Sequence, residues 1–151
     1  MTKAWDMYAQ EDRFEIMGGH FETAVVGLPA EYDLTQTTDL VQMYCVPEDH
    51  VENLDDVATM VDLYNSGRFM AGAFHVTGAN DVKDFAEGIQ SQVVENEWHG
   101  EKPEKLLVVK IDEQYVVSVS GRASLVNEYK QKLEAVYQEM VTVMIEENIF
   151  Q

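Results

Sequence analysis

Hydrophobic patterns of period two and period 3.6 follow one another along the second half of the chain. Val57, Thr59, Val61 and Leu63 alternate with Ala58, Met60, Asp62 and Tyr64, which is the spacing of a strand. After Asn65-Ser66-Gly67, the apolar run Phe69 to Val76 predicts a second strand and, with the first, a β-hairpin. Asn80-Asp81 is a cap signal for a helix with Val82, Phe85, Ile89 and Val93 on one face, ending before Gly100 and Pro103. Lys105 to Asp112 and Tyr115 to Ser120, both rich in Val, predict another hairpin around Glu113-Gln114, broken by Gly121. Leu125, Tyr129, Leu133, Val136 and Met140 recur at spacings of three and four. They predict a last amphipathic helix continuing toward Ile145.

The first 56 residues are patterned less clearly. Trp5 and Tyr8 are three apart, and Phe14, Met17, Phe21 and Val25 follow at helical spacing, interrupted by Gly18-Gly19. The expectation is a mostly helical segment. Gly27-Leu28-Pro29 breaks it, and Thr37 or Thr38 before Asp39 caps a short helix carrying Leu40, Val41 and Tyr44 that Pro47 ends. The fold class expected is α+β in one domain spanning 1–151. Residues 57–151 form two strand-strand-helix units, their sheet mainly antiparallel because the connections between paired strands are too short for parallel crossovers. Both helices are expected on one face.

Composition narrows the picture. A chain of 151 residues, 46% hydrophobic, can bury one core. The net charge is −18, and the first 67 residues carry two basic against 14 acidic side chains, the remainder eight against 14. Such a field repels phosphate backbones and anionic headgroups, which argues against nucleic-acid binding and leaves cationic or protein partners open. No apolar run reaches the length of a membrane span, and Met1 to Asp6 turns polar at once, so neither membrane insertion nor a signal peptide is expected in this chain.

Three stretches carry a family likeness. They are Phe69 to Val76 running into Asp81-Val82-Lys83, then Pro103 to Lys110, then Gln114 to Ser120. Across Phe69 to Tyr137 the chain resembles small predicted lipoproteins of Gram-positive gut bacteria whose shared region is a domain of unknown function. It departs from their pattern at Ala71-Gly72-Ala73, where that family often has a glutamate. The resemblance implies an extracytoplasmic domain once tethered by a lipid or membrane segment that this chain lacks, and implies no activity.

Candidate chemistry is sparse. His20, His50, His75 and His99 are scattered singly, with no His-Glu-x-x-His pair. His75 is the histidine placed on a strand near a helix start. Glu48, Asp49, His50, Glu52, Asp55 and Asp56 form the densest cluster of oxygen donors, a candidate cation site without the glycine turn or alternate spacing of an EF-hand. The competing reading is a solvated acidic connection. Cys45 stands alone, which excludes an intramolecular disulfide and a thiolate metal cage. No Gly-x-Ser-x-Gly elbow, phosphate loop or dinucleotide fingerprint occurs. Trp98 and His99, just past a predicted helix, are the candidate partner contacts, core packing being the alternative for Trp98. No cofactor is expected. The leading expectation is a non-enzymatic accessory or binding domain outside the cytoplasm. The alternatives are an acidic decoy for a basic partner, and a small hydrolase for which the sequence nominates no site.

Overall fold

A computed structural model describes residues 1–78 and 81–150. The two alternating runs pair antiparallel, as β4 (Leu54–Asp62) and β5 (Phe69–Val76), with Val57 opposite Phe74 and Val61 opposite Met70. The second Val-rich pair, β6 (Lys105–Ile111) and β7 (Tyr115–Gly121), is likewise antiparallel. The hairpins join through β5 and β7, and with β1 (Ile16–Gly18), β2 (Val25–Val26), β3 (Ala30–Glu31) and β8 (Val141–Asn148) they make one sheet of order β2-β1-β4-β5-β7-β6-β8, with β3 also on β4. Every pairing is antiparallel. The α+β class therefore holds, with eight strands among the described residues.

Of the remaining strands, three come from segments the hydrophobic spacing assigns to helix and one, Ala30–Glu31, from the stretch after the Gly27-Leu28-Pro29 break. In residues 1–56 only α1 (Thr2–Asp6) and α2 (Thr38–Gln42) are α-helical, joined by short 3-10 turns and three strands, β1 (Ile16–Gly18), β2 (Val25–Val26) and β3 (Ala30–Glu31). The expectation of a mostly helical segment is thereby corrected. Gly19 takes φ +83 and Gly27 φ +88, which turns the chain back on itself where a helix would have continued. The outer edge of β4 is shared end to end by β1 at Val61 and Asp62 and by β3 at Ala58 and Thr59.

The last helix, α4 (Ala123–Tyr137), also ends earlier than its stripe predicts. Gln138 takes φ 51 and the chain returns as β8 (Val141–Asn148), paired with β6. Val126, Tyr129 and Leu133 are buried, whereas Met140 is 49% exposed. The run Val141-Thr142-Val143-Met144-Ile145 is β-branched at every position but Met144, a composition that suits a pleated surface better than a helix.

This extra strand decides where the helices lie. β5 and β6 both pair antiparallel with β7, so they are parallel to each other, and α3 (Val82–Glu95) crosses over β7 between them. β7 and β8 both pair antiparallel with β6, so α4 makes a second crossover, over β6. The crossovers step the same way along the sheet but start from antiparallel strands, so two connections of one hand must lie on opposite faces. They do. Val82, Phe85, Ile89 and Val93 of α3 pack with Phe74, Leu106, Val108 and Val116, while Val126, Tyr129 and Leu133 of α4, with Trp5 and Tyr8 from the α1 region, pack with Phe69, Leu107, Val109 and Val119. The expectation of both helices on one face is corrected to a sheet covered on both sides. Accordingly β5 is buried along nearly its whole length. Asp81 precedes α3 without a side-chain capping bond, and Asn80, named with it as a cap, lies outside the described residues.

Candidate functional site

Directly paired residues of neighbouring antiparallel strands point to the same side, so the sheet presents rows of side chains to the α4 layer. One row, Met60, Ala71, Val119 and Leu107, belongs to the core under α1 and α4. The next is Ala58, Ala73, Val117 and Val109, and the third is Asp56, His75, Tyr115 and Ile111. Ala58 and Ala73 are too short to fill the space that Met60 fills one row earlier. With α4 ending at Tyr137, a cleft of about 360 Å³ remains over the alanines. Ala58, Ala73 and Val117 form its floor, Leu133 and Tyr137 of α4 one wall, and Asp56 and Tyr115 its mouth; Met1 and Ile111 complete the lining.

The mouth is built by a β-bulge. Leu54 opposes Val76 but Asp56 opposes His75, so Asp55 is the extra residue. The bulge brings Asp55 Oδ1 within 2.5 Å of His75 Nδ1. The His75 ring lies against Tyr115, their centroids 4.7 Å apart at 48°. Asp55 and Asp56, singled out in the sequence as part of the acidic cluster, and His75, singled out as a strand histidine, thus meet at one edge of the cleft.

The other candidates lie elsewhere. Glu48, Asp49, His50 and Glu52 fall in a 3-10 helix (Glu48–Asn53) before β4, and the rings of His50 and Phe85 meet edge to face, their centroids 5.9 Å apart. Among the described residues no group of three or more His, Cys, Asp or Glu side chains has the arrangement to hold a metal ion. His20 is 4% exposed; its Nε2 lies 3.0 Å from Asp39 Oδ2 and its Nδ1 accepts from the Glu22 N–H. Both ring nitrogens are engaged. Trp98 packs on the α3-side core and donates from Nε1 to the Val93 carbonyl at 3.0 Å, while His99 is exposed beside it. Cys45 is buried in the α3-side core, and burial pushes its thiol up to about 12. That thiol is protonated at neutral pH and is on the other side of the sheet from the cleft.

Chemically, the cleft combines an aliphatic floor with the Asp56 carboxylate and the Tyr115 phenol at its mouth and the Tyr137 phenol on its wall, the Asp55–His75 pair lying beside the mouth. The residues that sequence reasoning missed are Ala58, Ala73, Leu133 and Tyr137. The available signal was the small-residue run Ala71-Gly72-Ala73 inside a strand of otherwise bulky residues. Gly72 is one half of that signal: a Cβ there would lie 2.3 Å from the Phe74 ring, so on the α3 side the gap is filled. Ala73, on the α4 side, has no such cover. No helix among the described residues is long and apolar enough to cross a membrane. No known protein-family model, curated protein or solved structure matches the chain.

Proposed function

We propose that this chain is a non-enzymatic binding domain, displayed outside the cytoplasm like the lipoprotein-type proteins its second half resembles, and that its ligand is a small molecule held in the cleft beneath the end of α4. The observation that carries this reading is the cleft itself. Its volume of about 360 Å³ falls within the range of small-molecule sites. Its floor of Ala58, Ala73 and Val117 is apolar and built on central strands, which gives a ligand a rigid contact surface. A binding role suits these side chains better than catalysis, since the aliphatic floor brings no nucleophile to a bound molecule and the chain's one thiol is buried across the sheet.

Titration with the neutral fluorophore N-phenylnaphthylamine tests the reading. Saturable fluorescence enhancement is expected from the unmodified chain, lost in Ala73→Leu, whose added atoms fill the floor. Circular dichroism and melting of that variant should remain close to the parent. Enhancement that does not saturate, or that survives Ala73→Leu unchanged, overturns the assignment.

A further inference from the structure

We infer that this chain pairs edge to edge with a second copy of itself through β8, the two strands running antiparallel about a two-fold axis at the Met144 bulge. β8 closes one end of the sheet and pairs only with β6, which leaves its outer row of backbone groups without a strand partner among the described residues. The Asp112 N–H donates to the Met140 carbonyl, and the Ile149 N–H to the Glu104 carbonyl. Counting in twos from these bonds, Thr142, Ile145 and Glu147 turn their backbone groups to β6, while Val141, Val143, Glu146 and Asn148 turn theirs outward. The count slips once, at Met144, because Val108 opposes Ile145 and Val109 opposes Val143. The outward positions are therefore spaced by two, three and two residues, a series that reads the same in both directions. An antiparallel second copy meets all four, Val141 opposite Asn148 and Val143 opposite Glu146, each pair occurring twice, with the two bulges at the axis. A regular strand, spaced by two throughout, would match only one side of the bulge.

The side chains fit the same pairing. Met144 and Ile145 both pack on the α3-side core and are half-buried, so the axis brings four apolar side chains together on that face. Lys110 lies on the same face, paired with Val116 of that core and with Thr142. The register places Glu147 of the second copy directly beyond Thr142. Two strand spacings, about 10 Å, then separate Lys110 from that carboxylate's strand position, a gap that two long side chains close over the short threonine. Neither Lys110 nor Glu147 has an ion-pair partner among the described residues, so the pairing joins two charges left over in each chain. The neighbouring charges are matched within the chain, Glu146 with Lys105 and Lys130, and Glu87 with Lys83. The sequence between Arg13 and Arg68, with eleven acidic residues and no Lys or Arg, supplies β1 to β4 at the other end of the sheet. Joining through β8 thus keeps the most acidic parts of two chains apart. The cleft floor, on β4, β5 and β7, stays uncovered.

Sedimentation equilibrium at pH 7 and about 150 mM salt tests the pairing. The unmodified chain should show a reversible dimer. Glu147→Lys should weaken it about tenfold by turning both ion pairs into repulsions, although it lowers the net negative charge and would strengthen association if overall charge alone decided. Lys110→Glu should weaken it likewise. An equimolar mixture of the two variants should associate as tightly as the unmodified chain, because each then offers the charge that the other lacks. Circular dichroism shows whether each variant folds; should Lys110→Glu not fold, Glu147→Lys, on the exposed edge, carries the test alone. A chain that stays monomeric up to about 1 mM overturns the proposal. So does a dimer that Glu147→Lys leaves unchanged or strengthens, or a mixture of folded variants that does not recover. The fluorophore titration of the cleft reads separately from every one of these results.

Discussion

Leu133 and Lys132 are neighbours in sequence with different environments. Leu133 is 1% exposed, packs in the α4-side core and walls the cleft. Truncation to Ala removes buried contacts, but the space it leaves joins an opening that already exists, so the cost should fall in the lower part of the usual range, about 2–3 kcal/mol. The Lys132 Nζ lies 5.3 Å from the centre of the Tyr8 ring. Lys132→Ala should therefore cost about 0.5–1 kcal/mol through that ring contact, more than a wholly solvated lysine. Urea denaturation of both variants checks the order, and a larger loss at Lys132 would mean that α4 presents another face to the sheet. The alternation of buried and wet positions on α4 is legible from spacing alone. That Lys132 lies over a tyrosine from the α1 region is not, because the two residues are more than 120 positions apart.

Among the elements, α3 shows how a local preference is overruled. Gly88 lies inside this 14-residue helix, and Gly→Ala in a helix interior is ordinarily worth about 0.8–1 kcal/mol of stability. Here a Cβ would lie 2.4 Å from Cγ of Pro47, a buried and rigid ring in the segment after α2. The helix must back away from that contact, an overpacking cost of about 1–3 kcal/mol that outweighs the gain. Gly88→Ala should lower the melting temperature. A rise would show that α3 and Pro47 separate freely. The end of α4 is the reverse case. Its apolar stripe continues to Met140 by spacing, yet the chain leaves the helix at Tyr137 and pairs as β8 with β6. Sidechain period says which residues share a face; it does not say that a neighbouring edge strand offers Val141 to Asn148 a full ladder of backbone hydrogen bonds.

For the whole molecule, charge is the largest unbalanced quantity. A net −18 with few ion pairs makes the folded state self-repelling. Raising sodium chloride from about 10 mM to 500 mM at pH 7 shortens the screening length and should raise the melting temperature by several degrees; a fall would mean that the local pairs outweigh the global repulsion. One of those pairs has a definite pH signature. Hydrogen bonds from Lys105, and then from Lys130, hold the Glu146 carboxyl below its usual range. A carboxylate depressed in the folded state stabilises above the unfolded value, about 4.3, and that stabilisation is lost as pH falls through the folded value. Glu146→Gln should thus cost about 0.5–1 kcal/mol at pH 7 and nearly nothing at about pH 2, where parent and variant are both uncharged at this position. A cost independent of pH would assign Glu146 a packing role instead.

The sequence by itself determined the two hairpins, the helices between and after them, and the antiparallel character of the sheet, because strand alternation, turn residues and amphipathic spacing are properties of neighbours in the chain. It also marked Asp55 and Asp56, as part of one acidic cluster, and His75, without a reason to join the histidine to the carboxylates. Tertiary structure decided the rest. The short N-terminal strands exist because β4 has an open edge to pair with, and β8 exists because β6 has one. Once β8 is in place, crossovers of one hand from antiparallel strands must cover opposite faces, and a sheet covered on both sides hides any cleft from a one-dimensional reading. The cleft arises where Ala58 meets Ala73 across two strands and α4 stops short above them. Its mouth depends on one bulged residue in β4, a shift in register that no spacing within either strand encodes.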